Sequence, residues 1–236
     1  MMGNIIFDGY NFEDYGVVVS GSGTWNMPER LTIKENIPGK HGALIVDAGM
    51  FDNVEIPYPA WIARDFAEKY EAFSRMMALH TDKYYRLEDS YHPDYYRQAR
   101  VIPGIIPNTG TLNRSGEFTI SFDCKPQKWL RSGEEVLEIS ERLELFNMTG
   151  YEAKPLIVIP PGAVITITDR DGNESMLATA NFGLDTTYDA DTEESIVNNH
   201  YVNEYVTQVG SISLKPGMNV ITCNAPIKLT PRFYVI

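Results

Sequence analysis

Short stretches of alternating apolar and polar residues dominate the chain, and turn-forming residues separate them. In the first half these stretches include NIIFDG, residues 15–19, RLTIKENI and GEFTISFDC, in which one face carries Phe118, Ile120 and Phe122. Alternation with a period of two is typical of strands that bury one face. The first half is therefore predicted to consist mainly of β-strands, with IPGKHG as a glycine-rich connection between two of them.

One segment departs from this pattern because its apolar residues recur every three or four positions. Between residues 60 and 80 these apolar residues are Ile62, Phe66, Tyr70, Phe73 and Met77. Charged residues occupy the opposite side of the predicted helix. This is the period of an amphipathic α-helix, and Pro59 suits the first turn of a helix. The sequence predicts one helix over residues 60–80 that covers a sheet face, with its aromatic and methionine stripe in the core.

The run SFDCKPQKWLRSGEE indicates where the first folded unit ends. Cys124 extends the inward face of the preceding strand, whereas Pro126 cannot donate a ladder hydrogen bond and the polar residues after it have little to bury. We therefore predict that the sheet ends here, with a first domain over residues 1–131 and a second domain over residues 132–236. The fold class expected from the pattern is mainly β with one long α-helix.

The second half is predicted to contain only strands. Its alternating segments, with turn residues at short and fairly regular intervals, are EVLEIS, LELFNM, PLIVIP, AVITITD, ESMLATA, VNNHYV and MNVITC. Such spacing suggests a β-sandwich.

Composition and charge exclude several classes of function. Of 236 residues 43% are hydrophobic, enough for a real core, and the formal net charge is −12 with no basic stripe. Specific nucleic-acid binding is not expected, because an acidic chain repels phosphate. Membrane insertion is not expected either, because the longest apolar run, PLIVIPPGAVITI, is interrupted by prolines and is shorter than a membrane helix.

The residues that most often bind metals are few and scattered. The four histidines form no metal-binding motif, and two cysteines do not make a closed zinc site. The N-terminus does not resemble a secretory signal, so both cysteines are expected to be free thiols. The histidines are His41, His80, His92 and His200, and the cysteines are Cys124 and Cys223.

Two glycine-containing segments resemble ligand-binding loops only in part. DRDGNE begins like a calcium loop at Asp169, but Gly172 is its fourth residue and not its sixth, so the tip of a hairpin is favoured. GSG at residues 21–23 lacks the remainder of a phosphate-binding loop and is interpreted as a flexible turn. We predict no catalytic residues, no cofactor-binding residues and no metal ligands, and we interpret Cys124 as a small buried hydrophobic residue.

Two other functions stay open at this stage. A glycosidase needs only two carboxyl groups about 5 to 10 Å apart, and the sequence does not single out such a pair. A carbohydrate-binding adhesion module would use aromatic rings, of which the chain has 14 tyrosines and 3 tryptophans. The core is the simpler location for these rings, with Trp61 on or just before the helix and Trp129 at the end of a strand.

The order of the sequence segments along the chain resembles that of one known protein family. The segment FDGYNFEDYGVVV, then IPGKHGALIVDAGMFDNVEIPY, a single helix, a hairpin and GEFTISFDCKPQKWLRSGE resemble the distal tail (Dit) proteins of long, non-contractile-tailed bacteriophages (siphoviruses) and their prophage copies. The family's F-x-C-x-P strand end corresponds to Phe122, Cys124 and Pro126. In the second half LFNMTGYEAKPLIVI, LDTTYDADT and LKPGMNVI also resemble the family, whereas Lys40 and the run NNHYVNEYVTQVGS depart from it.

The resemblance implies a virion structural protein that is not an enzyme. It implies an N-terminal β-barrel with a packed helix that forms a homo-hexameric ring, possibly stacked, at the distal end of the tail tube, and a galectin-like C-terminal β-sandwich. The implied partners are other copies of the chain, the tail tube protein, the tail-tip or tail-associated lysin, and receptor-binding proteins. The implied location is the virion tail tip, after synthesis in the cytoplasm of the host bacterium. A ring that lets DNA pass is expected to have acidic residues on its inner wall.

Overall fold

The computed structural model describes residues 3–21, 24–110, 113–181 and 183–236. It divides the chain into two units, Met1–Lys128 with Ile236, and Trp129–Val235. Each unit has its own cluster of buried hydrophobic residues. The chain is mainly β, as its residue pattern predicts.

The first half of the chain contains ten strands and one α-helix within the described residues. In chain order they are β1 (Ile5–Phe7), β2 (Tyr10–Asn11), β3 (Val17–Val19), β4 (Arg30–Asn36), β5 (Ala43–Phe51), β6 (Val54–Ile62), α1 (Phe66–Ala78), β7 (Tyr85–Asp89), β8 (Tyr95–Val101), β9 (Asn108–Thr109) and β10 (Gly116–Leu130).

The main sheet of this unit curls until it meets itself. Its strands follow the order β2-β1-β7-β8-β10-β6-β3. Gly3, just before β1, exchanges two backbone hydrogen bonds of 3.1 and 3.3 Å with Val19 in β3. This bridge joins the segment before β1 to β3, so the two ends of the sheet meet. The predicted N-terminal β-barrel is confirmed.

The helix closes one side of the barrel core. The Phe73 ring on α1 is fully buried and lies 5.0 Å from the Phe12 ring and 5.8 Å from the Phe118 ring. Aromatic pairs at these distances add to the free energy gained by burial. Gly116 in β10 leaves the room that Phe66 fills, because a Cβ at this position would lie 2.4 Å from the Phe66 ring.

The predicted start of the helix at residue 60 is wrong. Residues up to Ile62 belong to β6, and α1 begins at Phe66. The side chains of residues 54 to 62 alternate between buried and less buried positions, which is the period of a strand. Pro59 therefore lies in β6, opposite Thr119 of β10, and its carbonyl accepts a hydrogen bond of 2.8 Å from the Ser20 amide.

The predicted end of the sheet at Pro126 is also wrong, because β10 continues to Leu130. The pairing between β10 and β6 stops at the Cys124–Val54 pair. Pro126 comes after that pair, so its missing N–H removes no hydrogen bond from this ladder. The strand therefore passes through the proline.

The second half contains twelve further strands within the described residues. In chain order they are β11 (Leu137–Ile139), β12 (Arg142–Asn147), β13 (Leu156–Ile159), β14 (Val164–Thr168), β15 (Glu174–Thr179), β16 (Thr186–Asp189), β17 (Glu194–Val197), β18 (His200–Tyr201), β19 (Val206–Val209), β20 (Gly217–Cys223), β21 (Ile227–Thr230) and β22 (Tyr234–Val235).

Two sheets of this unit share one core. Their strand orders are β11-β21-β13-β16-β17-β18 and β12-β20-β14-β15-β19. The same buried cluster contains Ile157 and Leu229 of the first sheet and Ile165 and Ile221 of the second. This arrangement confirms the predicted β-sandwich. Within the described part of the chain, no helix is long and apolar enough to cross a bilayer.

Candidate assembly surface

The hairpin formed by β4 and β5 lies outside both cores. Within the described residues these two strands pair only with each other, and nearly every residue in them is exposed. An isolated two-stranded hairpin is at best marginally stable in water. The hairpin therefore has the structure of an arm that needs another surface to bury it.

Its side chains divide into an apolar face and a polar face. Residues directly opposite each other share a face, so Ile33 with Val46 and Glu35 with Leu44 define one side. We call this side the apolar face; the exposed fractions of its hydrophobic side chains are 40% for Leu31, 58% for Ile33, 49% for Leu44 and 43% for Val46. The other side is mostly polar and carries Thr32, Lys34, Asn36, Ala43, Ile45 and Asp47.

The base of the hairpin is held by polar contacts. The Arg30 guanidinium donates to both carboxylate oxygens of Asp47, with Nε–O distances of 2.9 Å, and this contact lowers the pKa of Asp47. The Asp47 carboxylate also accepts from the Gly49 amide at 2.9 Å, where a bulge interrupts the pairing and Gly49 has a φ of 75°. The Asp52 amide donates to the Glu29 carbonyl at 2.8 Å, which brings the two ends of the hairpin together.

Two large side chains before the hairpin extend its exposed apolar surface. Trp25 is 77% exposed and Met27 is 84% exposed. The Trp25 ring centroid lies 4.5 Å from that of His92. His92 is itself held between the Thr24 and Tyr95 hydroxyls, at 3.2 and 2.9 Å, and burial lowers its pKa. The contacts of Thr24 and Trp25 with His92 thus hold the segment before the hairpin against the barrel.

The charge of the hairpin differs from that of the whole chain. Residues 29–51 contain three basic and three acidic residues, whereas the chain carries −12. Copies of a strongly acidic chain repel one another, and a neutral segment with an apolar face is the part least affected by that repulsion.

The second unit also exposes apolar residues at a sheet edge. Phe146 in β12 is 57% exposed and lies directly opposite Met218 in β20, and Met148 just beyond β12 is 86% exposed. Because β12 is the outermost strand of its sheet, this patch is a second, smaller candidate contact surface.

The thiols predicted to be free are free in the structure. Cys124 is fully buried on the same face as Phe118, Ile120 and Phe122, as predicted, and burial raises its pKa to about 12. Burial also raises the pKa of Cys223. A thiol with a raised pKa is a poor nucleophile at neutral pH.

The loop predicted to be a hairpin tip joins β14 to β15. Thr168 pairs with Glu174, and the Asp169 carboxylate accepts from the amides of Asp171 and Asn173, each at 2.9 Å. These contacts use the carboxylate to hold the turn, so the hairpin prediction is confirmed. Across the described residues no group of three metal-binding side chains converges. Of the GSG turn, residues 22–23 lie outside the described residues.

His80 is held by polar and aromatic contacts within the first unit. His80 is buried beside the Phe7 and Tyr85 rings, and its ring nitrogens contact the Met76 carbonyl at 2.7 Å and Asp8 at 3.2 Å. This links the end of α1 to the turn after β1.

Trp61, predicted near the helix, lies on β6 instead and points to its less buried side.

One ionic cluster in the second unit is well defined. Glu152 contacts Lys215 and lies 3.0 Å from the Lys154 Nζ atom. Burial raises the pKa of Glu152, but hydrogen bonds from Lys215, Lys154 and Ser213 outweigh that effect and lower it to about 2. The carboxylate is thus neutralised by its own neighbours, which suits a structural ion pair better than an acid catalyst.

Solved structures similar in fold to this chain include proteins of phage adsorption apparatus and baseplates. The chain is similar to SPP1 Dit (TM-score 0.74, 16% identity, 96% of each chain covered), described as a paradigm of the hub adsorption apparatus in phages that infect Gram-positive bacteria. It is also similar to a chain of the phage p2 baseplate in its activated conformation, in structures with Sr and with Ca (TM-score 0.54, 11% identity, 97% of each chain). No family model and no curated protein sequence matches. At such identities the likeness shows the fold, which is the fold expected from the sequence resemblance.

The exposure of the hairpin is the feature of this candidate surface that sequence reasoning missed. Its strands were predicted, from the alternation of apolar and polar residues in RLTIKENI and from the apolar run Ala43 to Val46 after the glycine-rich connection. The same alternation predicts a buried face in the barrel, so the pattern alone does not tell which strands are covered by their own chain.

Proposed function

We propose that this chain is the structural hub of a siphovirus tail. In this proposal its first unit assembles with other copies into a homo-hexameric ring, possibly stacked, at the distal end of the tail tube. The ring joins the tail tube protein to the tail-tip or tail-associated lysin and the receptor-binding proteins, and the chain has no catalytic role. In this proposal the second unit is a galectin-like β-sandwich.

The observation that supports the ring most directly is the exposed apolar face of the β4–β5 hairpin. Fully burying a Leu, Ile or Val side chain contributes about 1.5 to 3 kcal/mol. The four hydrophobic residues of this face are about half exposed in the single chain, so covering them on a neighbouring copy would contribute several kcal/mol to assembly. The known hub proteins with this fold give the context in which such a contact serves a function.

A ring requires contacts between two different faces of the chain. In a closed cyclic assembly each copy presents one face to the copy before it and another face to the copy after it. An arm that projects from one copy and a receiving surface on the next satisfy this requirement, whereas two identical faces would give a two-fold dimer.

The proposal is tested by removing the arm without disturbing the barrel. The Glu29 carbonyl and the Asp52 amide are hydrogen-bonded at 2.8 Å, so a Gly-Ser link can replace residues 30–51. Sedimentation velocity is expected to show a hexamer for the full chain and a monomer with an unchanged unfolding temperature for the variant. A variant that still forms the ring, or a full chain that stays monomeric at every concentration, would contradict the proposal.

The carbohydrate-binding alternative is tested on the same samples. Glycan-array binding by the full chain, lost on unfolding, would favour that function over the hub. The largest fully buried side chains include Tyr58 and Tyr188, so part of the aromatic content that suggested stacking on sugars lies in the cores.

A further inference from the structure

One arginine of the first unit points into the barrel. Arg97 lies in β8 on the same side as Ala99 and Val101, and only 5% of it is exposed. Arginine is almost never fully buried unless it is paired. Moving an ionised group out of water costs several kcal/mol even after the protein relaxes around it. A negatively charged partner is therefore expected beside Arg97.

The described residues do not supply this partner. The Nη1 atom of Arg97 is enclosed by protein atoms and has no hydrogen-bond partner among them. Arg97 also forms no ion pair within the described part of the chain. Because buried polar groups in folded proteins are nearly always hydrogen-bonded, an orphaned guanidinium nitrogen at such a position points to a ligand.

A second cation lies close enough to Arg97 for the two charges to interact. Lys128 in β10 is partly buried, and its Nζ atom lies 5.7 Å from the centroid of the Tyr95 ring. Burial lowers the pKa of Lys128, and the positive charge of Arg97 lowers it further. Lys128 likewise has no ion-pair partner in the described ranges. Two neighbouring cations are thus left without a carboxylate in a chain that has 32 acidic residues.

Asp89 shares these surroundings, but other donors occupy its carboxylate. One of its oxygens accepts from the Tyr58 hydroxyl at 2.6 Å, and the other accepts from the amides of Tyr91 and His92 at 2.9 and 2.8 Å. Burial raises the pKa of Tyr58, the charge of Asp89 raises it further, and the charge of Arg97 lowers it. Asp89 therefore acts on the same side chains as Arg97 but does not satisfy the donors of Arg97.

We propose that the barrel of the first unit binds a small inorganic anion of the chloride class, held by Arg97 and Lys128. A guanidinium and an ammonium group supply both the positive charge and the N–H donors that such an ion accepts. The 5% exposure of Arg97 favours a small ion, because a carboxylate side chain of another protein does not reach a guanidinium enclosed on nearly all sides. The site does not depend on the proposed hub or ring. Its consequence is that the stability of the folded chain depends on the chloride concentration.

Thermal unfolding at constant ionic strength tests the site in solution. The full chain is compared in mixtures of sodium chloride and sodium gluconate, whose anion is much larger than chloride. The unfolding temperature is expected to rise with the chloride fraction, since a ligand that binds only the folded state stabilises it. An unfolding temperature that does not change with the chloride fraction would overturn the proposal.

Matched charge removals assign the effect to the two cations. Arg97→Met is expected to abolish the chloride dependence, and Lys128→Met is expected to weaken chloride binding about tenfold. The control is Lys125→Met, which removes the same charge from β10 and a similar contact, because the Lys125 Nζ atom lies 5.2 Å from the Tyr84 ring centroid. It is expected to keep the full dependence. A dependence that is equal in all three variants would overturn the assignment to Arg97 and Lys128.

A crystallographic experiment on the unchanged protein does not require any variant to fold. Crystals grown in sodium bromide are expected to show an anomalous difference peak within hydrogen-bonding distance of the Arg97 guanidinium and the Lys128 ammonium group. Density for water alone at Arg97, or a protein acceptor bonded to its Nη1 atom, would show that Arg97 is satisfied without an anion and would overturn the proposal.

Discussion

Strands β5 and β6 follow each other in the chain and have nine residues each, yet their surroundings differ completely. In β6 every second residue from Val54 to Ile62 is buried, because β10 and β3 pair with it on its two sides and the barrel core covers one face. In β5 all residues but the last are exposed. Alternation specifies that a strand has a face to bury, and the rest of the fold decides whether the same chain buries it.

The difference between the two strands is largest for stability. Ile56→Ala removes a fully buried side chain from β6 and is expected to lower the free energy of unfolding by about 2 to 5 kcal/mol. Ile45→Ala makes the same change in β5, where Ile45 is 61% exposed, and is expected to change it by less than about 0.5 kcal/mol. Urea unfolding followed by circular dichroism measures both, and equal losses would mean that the hairpin is part of the monomer core.

When assembly is measured instead of stability, substitutions in the hairpin are expected to have the larger effect. Truncating Ile33 and Leu44 together to alanine is expected to leave monomer stability unchanged and to weaken the ring by roughly 1 to 3 kcal/mol, or about five- to 150-fold in its dissociation constant. Sedimentation velocity over a concentration series gives this constant. The matched control is Thr32→Ala on the polar face, and an equal effect of the control would show that the two faces are not distinguished.

Thiol reactivity sharpens the same contrast. Cys124 is buried and its pKa is about 12, so it is expected to react with a disulfide reagent only as the barrel unfolds. A cysteine introduced by Ile45→Cys in the exposed hairpin is expected to react at the rate of a free thiol, without unfolding. Cys223→Ser in both proteins removes the remaining thiol, and rapid reaction of Cys124 would show that the barrel opens readily.

The ion pairs of the hairpin and of the second unit also differ in exposure, and a smaller effect on stability is expected from them. The Arg30–Asp47 pair of the hairpin is solvent-exposed, whereas Glu152 is only about one-third exposed and has two lysine partners. The pKa of Glu152 is about 2 in the folded state against an ordinary value of 4.5. Because the folded state lowers this pKa, the stabilisation is complete above about pH 4.5 and is lost as the pH falls toward about 2.

The control for this ion pair is Glu152→Gln. Its deficit in unfolding free energy relative to the unchanged protein is expected to shrink between pH 4.5 and pH 2. A deficit that stays constant over this range would show that the charge of Glu152 does not contribute. Asp47→Asn is expected to give a smaller pH-dependent change, because water screens the exposed pair.

Sequence patterns predicted what depends on neighbouring residues in the chain. The inward face of β10, including Cys124, follows from alternation, and the Asp169 turn follows from its residue types. The start of α1 was placed too early because Ile62 fits both the helical and the strand periods, and only pairing with β10 and β3 assigns it to β6.

The remaining features depend on contacts that no local pattern encodes. β21 holds buried Leu229 between β11 and β13, yet its sequence IKLT is too short to stand out from the turns around it. The exposure of the hairpin depends on the absence of a cover among the described residues, which is a property of the three-dimensional arrangement.

Hydrogen–deuterium exchange across a concentration series tests the central claim most directly. The account predicts that amides of β4 and β5 exchange rapidly at low concentration and become protected in step with ring formation, while amides of β6 are protected at every concentration. Ring formation without added protection of β4 and β5, or no protection at any concentration, would contradict it.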